Sequence, residues 1–101
     1  MEIRFAEQAD KLIIAFIGDL DNAAAPEAEM ALEKVYERND CDIMIDCSHL
    51  NYISSKGLRI LLNLYKHQRN NGKNAFIGNM NKNVREALDI SGFLTLYKEI
   101  V

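Results

Sequence analysis

A chain of 101 residues, 49% hydrophobic and 27% charged, is about one domain long and buries roughly two-thirds of its unfolded surface on folding, so it needs no covalent staples. A net charge of -3 with acids and bases interspersed offers no footprint for nucleic acid or anionic membrane. The start Met1-Glu2-Ile3-Arg4-Phe5 lacks the parts of a signal peptide, and the longest apolar run, Leu12 to Ile17, is too short to span a bilayer, which predicts a cytoplasmic protein.

Residues 2–7 alternate weakly, with Ile3 and Phe5 against Arg4 and Glu7, and predict an edge strand. The near-continuous apolar run 12–17, bounded by Lys11 and Gly18, predicts a central one. After Asp21-Asn22 and Pro26, the positions Ala28, Ala31, Leu32, Val35 and Tyr36 recur at helical spacing, with Glu27 and Glu29 near the helix start. Asn39-Asp40 ends that helix, and Asp42 to Asp46 reads as the third strand. A long helix follows from Ser55 to about Asn71, closed by Asn70-Asn71-Gly72. Its apolar positions, among them Leu58, Leu61, Leu62 and Tyr65, span an arc of roughly 200°, wider than a surface helix needs. That arc predicts clamping between the sheet and either a neighbouring helix or a partner, and allows a monomer or a weak dimer. Ala75-Phe76-Ile77 reads as the fourth strand, Val84 to Ile90 as a short helix, and Leu94 to Tyr97 as a last extended stretch. Strands alternating with helices predict one α/β domain with a mixed, largely parallel sheet.

The chemistry-bearing residues are few. Cys41 and Cys47 lie six positions apart on one extended segment, at about 3.3 Å per residue, too far for the roughly 4.4–6.8 Å between α-carbons that a disulfide allows, so both read as reduced thiols. His49 and His67 show no paired spacing with cysteine, which argues against zinc, and no cofactor or metal is expected. Phosphate-binding loops, nucleophile elbows and zinc-protease motifs are absent from the sequence, so no enzymatic activity is expected.

The most informative segment is Asp46-Cys47-Ser48-His49-Leu50-Asn51-Tyr52-Ile53-Ser54-Ser55-Lys56-Gly57-Leu58, where a strand gives way to the long helix. The first turn of a helix offers unpaired N–H groups and the positive end of the dipole, so a hydroxyl there can cap and a phosphate there is stabilised. Either Ser54 or Ser55 fits that place, and the roles can be divided between them. Gly57 and Leu58 stand where a capping box would require Glu or Gln. Gly57 suits close packing or the approach of a partner. Asp21 suits a helix cap as well as a partner contact. His49 reads as a solvated residue of the turn before the motif.

Three segments together resemble the STAS family, the bacterial anti-sigma-factor antagonists, over almost the whole chain. Gly18-Asp19-Leu20-Asp21 is similar to the family's Gly-Glu-Leu-Asp turn, and the segment from Asp46 to Leu58 is similar to its Asp-Leu-Ser-x-Val-x-Phe-Met-Asp-Ser-Ser-Gly-Leu stretch. Asp89-Ile90-Ser91-Gly92-Phe93 is similar to the small residue and glycine that precede the family's last strand. The resemblance implies a single STAS domain over residues 1–101 and a non-enzymatic regulator. It places the family's phosphorylated serine on Ser55, with Ser54 where aspartate is common and Lys56 where a small residue is usual. Asp21 and Asn22 match a loop near the phosphoacceptor, and Asp46 an acidic position at the end of the third strand. The implied partners are a serine kinase that doubles as an anti-sigma factor and a metal-dependent serine phosphatase, meeting a surface of Asp21, Asn22, Ser54, Lys56 and Gly57. The alternative is a kinase-independent STAS module that senses a small ligand or scaffolds a signalling complex.

Overall fold

The strands lie side by side in the order in which the chain makes them. In the computed structural model, which describes residues 1–100, these are Glu2–Gln8 (β1), Lys11–Leu20 (β2), Asp42–Ile53 (β3), Ala75–Gly78 (β4) and Lys98–Ile100 (β5). Val101 of the expected domain lies outside the described residues. Helices Ala25–Tyr36 (α1) and Ser55–Asn70 (α2) connect β2 to β3 and β3 to β4, while Lys82–Ile90 (α3) and a 3₁₀ turn at Phe93–Thr95 connect β4 to β5. β1 pairs antiparallel with β2, and the other three pairings are parallel, so the sheet is mixed and largely parallel.

Each parallel crossover advances one strand in the same direction, and crossovers of the usual right hand then put every helix on one face. The burial pattern agrees. Leu12, Ile14 and Phe16 of β2, Ile43, Ile45 and Cys47 of β3, and Ala75 and Ile77 of β4 share one buried cluster with the helices. Ile13, Ala15, Ile17, Met44 and Phe76, on the other face, are only half-buried. The order never reverses, so the sheet has no switch point at which a deep ligand crevice opens.

α2 lies on the sheet beside α1, with Ile60, Leu61 and Leu64 fully buried and Leu58, Leu62 and Tyr65 half-buried. The neighbour that covers its broad apolar arc is therefore a helix of the same domain. At its C-terminus Gly72 is left-handed at φ +68°, and Lys73 N donates to Gln68 O at 2.8 Å. Gln68 is itself buried, and its Nε2 donates to Cys41 O and Asn74 O, each at 3.0 Å, tying the helix end to the starts of β3 and β4. Gln68→Leu leaves both carbonyls without this donor and is expected to cost about 2 kcal/mol, read as a lower urea midpoint at unchanged slope.

Two sequence expectations need correction. The third strand does not stop at Asp46 but continues to Ile53, which puts Asp46 in mid-strand and His49 inside the strand, exposed and opposite Ile17. Register shifts between Ala15 and Ile17 and between Gly18 and Asp19 each give β3 one extra residue. The buried positions therefore change from every second residue (Ile43, Ile45, Cys47) to every third (Leu50, Ile53), which hides the strand from a period-two reading. The segment 94–97 is also not extended. Gly92, left-handed at φ +77°, turns the chain, Thr95 Oγ1 donates to Gly92 O at 2.6 Å, and Phe93 and Tyr97 are buried four residues apart across a turn. The Tyr97 hydroxyl donates to Leu61 O, and the last strand begins only at Lys98.

Both cysteines are free thiols, Cys41 half-buried and Cys47 buried. Burial, with the neighbouring Asp46 charge, pushes the Cys47 thiol up to about 12, so it stays protonated and inert.

Candidate functional site

β2 and β3 run parallel and end together, Leu20 opposite Ile53, so the loops leading into α1 and α2 emerge at one edge of the sheet. Ser54 N donates to Leu20 O at 2.9 Å, which fixes the two ends against each other. Ser54 is extended at φ -92° and ψ 176° and only 7% exposed, and its Oγ accepts from Gly57 N at 3.2 Å. It is the cap of α2. Ser54→Ala is expected to lower stability by about 1 kcal/mol in chemical denaturation while leaving the neighbouring hydroxyl in place.

Ser55 is the first residue of α2 and is exposed, as is Lys56. Gly57 turns inward. A β-carbon there would lie 2.7 Å from Ile53 Cγ1, 2.8 Å from Leu20 Cγ and 3.0 Å from Leu20 O, so the glycine lets the first turn of the helix rest on the end of β2. Of the roles open to Gly57, packing is the one its surroundings within the domain use. The Ser54 hydroxyl is likewise engaged within the domain, by the cap.

Asp21 follows Leu20 directly, and its Oδ1 accepts from Ala24 N at 2.8 Å, while its backbone carbonyl accepts from Ala25 N at 3.1 Å. It organises the turn that starts α1, and Asn22 beside it is exposed. Asp21 lines a shallow depression with Asp19 and Glu27. Ser55 and Lys56 line a different one, an open groove of about 520 Å³ between the starts of α1 and α2, together with Ala25, Pro26, Glu29 and Arg59. Arg59 belongs to no motif in the sequence, and the signal that links it to Ser55 is its place four residues on, which puts it on the same helix face. Tyr52, 52% exposed near the end of β3, adds an aromatic ring to this edge.

Asp46 does not reach the serines. Its Oδ1 accepts from Ser48 N at 3.0 Å and Asn79 Nδ2 at 3.1 Å, joining β3 to the loop before α3. Partial burial opposes its ionisation, but these hydrogen bonds outweigh it and hold the carboxyl below the usual range. Asn81 ties the same region together, capping α3 through Val84 N at 2.8 Å and donating to Leu50 O at 3.0 Å. Among the described residues no group of three or more His, Cys, Asp or Glu is placed to hold a metal ion, and no helix is long and apolar enough to cross a membrane.

The arrangement is therefore an exposed hydroxyl on the first turn of a helix, in a groove that it shares with two cations, Lys56 and Arg59, and one carboxylate, Glu29. The profile of the STAS domain matches residues 2–100. A protein of Bordetella bronchiseptica named as an anti-sigma factor antagonist, BtrV, is 30% identical over 90% of this chain and 79% of its own. The anti-sigma F factor antagonist of Paenibacillus polymyxa is 25% identical over 95% and 83%. Among solved structures, an anti-sigma factor antagonist from Mycobacterium paratuberculosis superposes with a TM-score of 0.87 at 18% identity, over 97% of this chain and 83% of that one, a likeness of fold.

Proposed function

The chain belongs to the STAS domain family and, within it, to the anti-sigma factor antagonists, which are regulators without enzymatic activity, and we propose that phosphorylation of Ser55 controls its binding to an anti-sigma factor. In this reading the unmodified chain binds a serine-kinase anti-sigma factor in the cytoplasm and frees the sigma factor. The kinase transfers phosphate to Ser55, binding is lost, and a metal-dependent serine phosphatase restores it. The chain acts as a monomer or a weak dimer.

The observation that carries the proposal is the division of labour within one helical turn. Ser54 and Gly57 face the core and hold the turn, while Ser55 is exposed and structurally uncommitted. A phosphate on Ser55 adds about -1.5 to -2 charges at the positive end of α2, where the dipole and free N–H groups offset its cost to the fold. The switch can then act on the docking surface without unfolding the domain. Asn22 and Tyr52, exposed near the ends of β2 and β3, and Lys56 beside the hydroxyl offer polar and aromatic side chains to a partner at the same end of the sheet.

The test is phosphate transfer from ATP by the cognate kinase, read by mass spectrometry with peptide mapping. One phosphate on Ser55 is expected, retained in Ser54→Ala and lost in Ser55→Ala. Transfer to another residue overturns the assignment. No transfer from any candidate kinase favours the ligand-sensing or scaffolding module instead.

A further inference from the structure

Two cations share the groove with Ser55. Lys56 is its immediate neighbour, and Arg59 stands four residues on, about one helical turn away on the same face. Among the described residues the ion pairs are Arg4 with Glu2, Arg38 with Glu7 and Asp40, and Arg85 with Glu99, so neither groove cation is engaged. The carboxylate that lines the groove opposite them is Glu29 of α1. The unmodified groove thus carries two uncommitted positive charges against one negative charge, beside a neutral hydroxyl.

A phosphate on Ser55 reverses that imbalance, because it brings about two negative charges and three acceptor oxygens to the same helix face. The guanidinium one turn on can offer two parallel N–H donors to it, and the lysine a mobile third cation-borne donor. We propose that Lys56 and Arg59 form an intramolecular clamp for the phosphate of Ser55, which holds the modified form in place and slows its return. The inference rests on Ser55 being the phosphoacceptor. It assigns Arg59 to the stability of the off state and gives Lys56 a role in the modified chain.

The clamp is tested on full-length chain with phosphoserine installed at position 55 during translation, so that no kinase is required. The phosphate is titrated by phosphorus NMR. Its second ionisation is expected below the usual value of about 6, and Arg59→Ala is expected to move it back up by about half a pH unit, with Arg59→Lys retaining part of the effect. The helix terminus acts equally in all these proteins, so the difference between them isolates the side chains. A metal-dependent serine phosphatase is expected to release phosphate several-fold faster from the Lys56→Ala/Arg59→Ala protein. Identical titrations and identical release rates in wild type and the double variant overturn the clamp while leaving the switch intact. Failure of kinases to modify Ser55 overturns the switch and, with it, the clamp as a device of the off state, even where the Arg59-dependent titration is present.

Discussion

Ser55→Asp is expected to lower affinity for the kinase anti-sigma factor by about a hundred- to a thousandfold, a loss of roughly 3–4 kcal/mol, while Ser55→Ala binds as tightly as the unmodified chain and does not respond to ATP. The magnitude follows from the surface. A docking face on the partner that is complementary to a neutral hydroxyl offers no donor to a charge there, and desolvating that charge together with the Lys56 and Arg59 side chains beside it costs several kcal/mol. The fold itself should tolerate aspartate, because Ser55 is exposed and a carboxylate in the first turn suits the dipole. Titration calorimetry gives the affinity, and a melting temperature at or above that of wild type shows that binding was lost without unfolding. A Ser55→Asp chain that binds as tightly as wild type removes the charge mechanism.

Gly57→Val is the substitution expected to damage the fold most at this site. A β-carbon meets Ile53 Cγ1 at 2.7 Å and Leu20 Cγ at 2.8 Å, and the carbonyl of Leu20 at 3.0 Å belongs to backbone already bonded to Ser54 N. The side chains can shift, but the backbone oxygen cannot do so without loosening the junction of β2 and α2. Overpacking of this kind costs about 1–3 kcal/mol. For Gly57→Ala, the better helix propensity of alanine returns up to about 1 kcal/mol, so its net cost is smaller. The two γ-methyls of valine enlarge the clash, and about 3 kcal/mol is expected in urea denaturation. The same displacement moves Ser54 and Ser55, so affinity for the kinase should fall together with stability. A Gly57→Val chain of wild-type stability would show that the turn has room which the packing denies.

Much of this was legible in local pattern. The apolar run 12–17, the helical recurrence from Ala28 to Tyr36 and the glycine after Asn71 each reflect a period or a terminus that a few neighbouring residues specify, and the elements formed where those signals lie. The extension of β3 was not legible, because two bulges supplied by pairing with β2 replace its period of two by three. The final segment misled for a related reason. Leu94-Thr95-Leu96-Tyr97 has strand-like composition, but the left-handed Gly92 and the burial of Phe93 and Tyr97 against the domain make it a turn.

At the site, sequence alone determined the order of elements, the serine pair at the start of α2 and the family resemblance that singles out Ser55, since all of these depend on residue type and short-range spacing. Only the tertiary structure decided which way each residue faces. Ser54 points inward because its N–H meets Leu20 O and its hydroxyl the N–H of Gly57, and Gly57 is buried because the end of β2 lies against it. Arg59 joins Ser55 and Lys56 because α1 packs alongside α2 and closes the far wall of their groove. Apart from the cap itself and the spacing of Arg59 from Ser55, these are contacts between segments some thirty residues apart, fixed by strand pairing and helix packing, which no local pattern encodes.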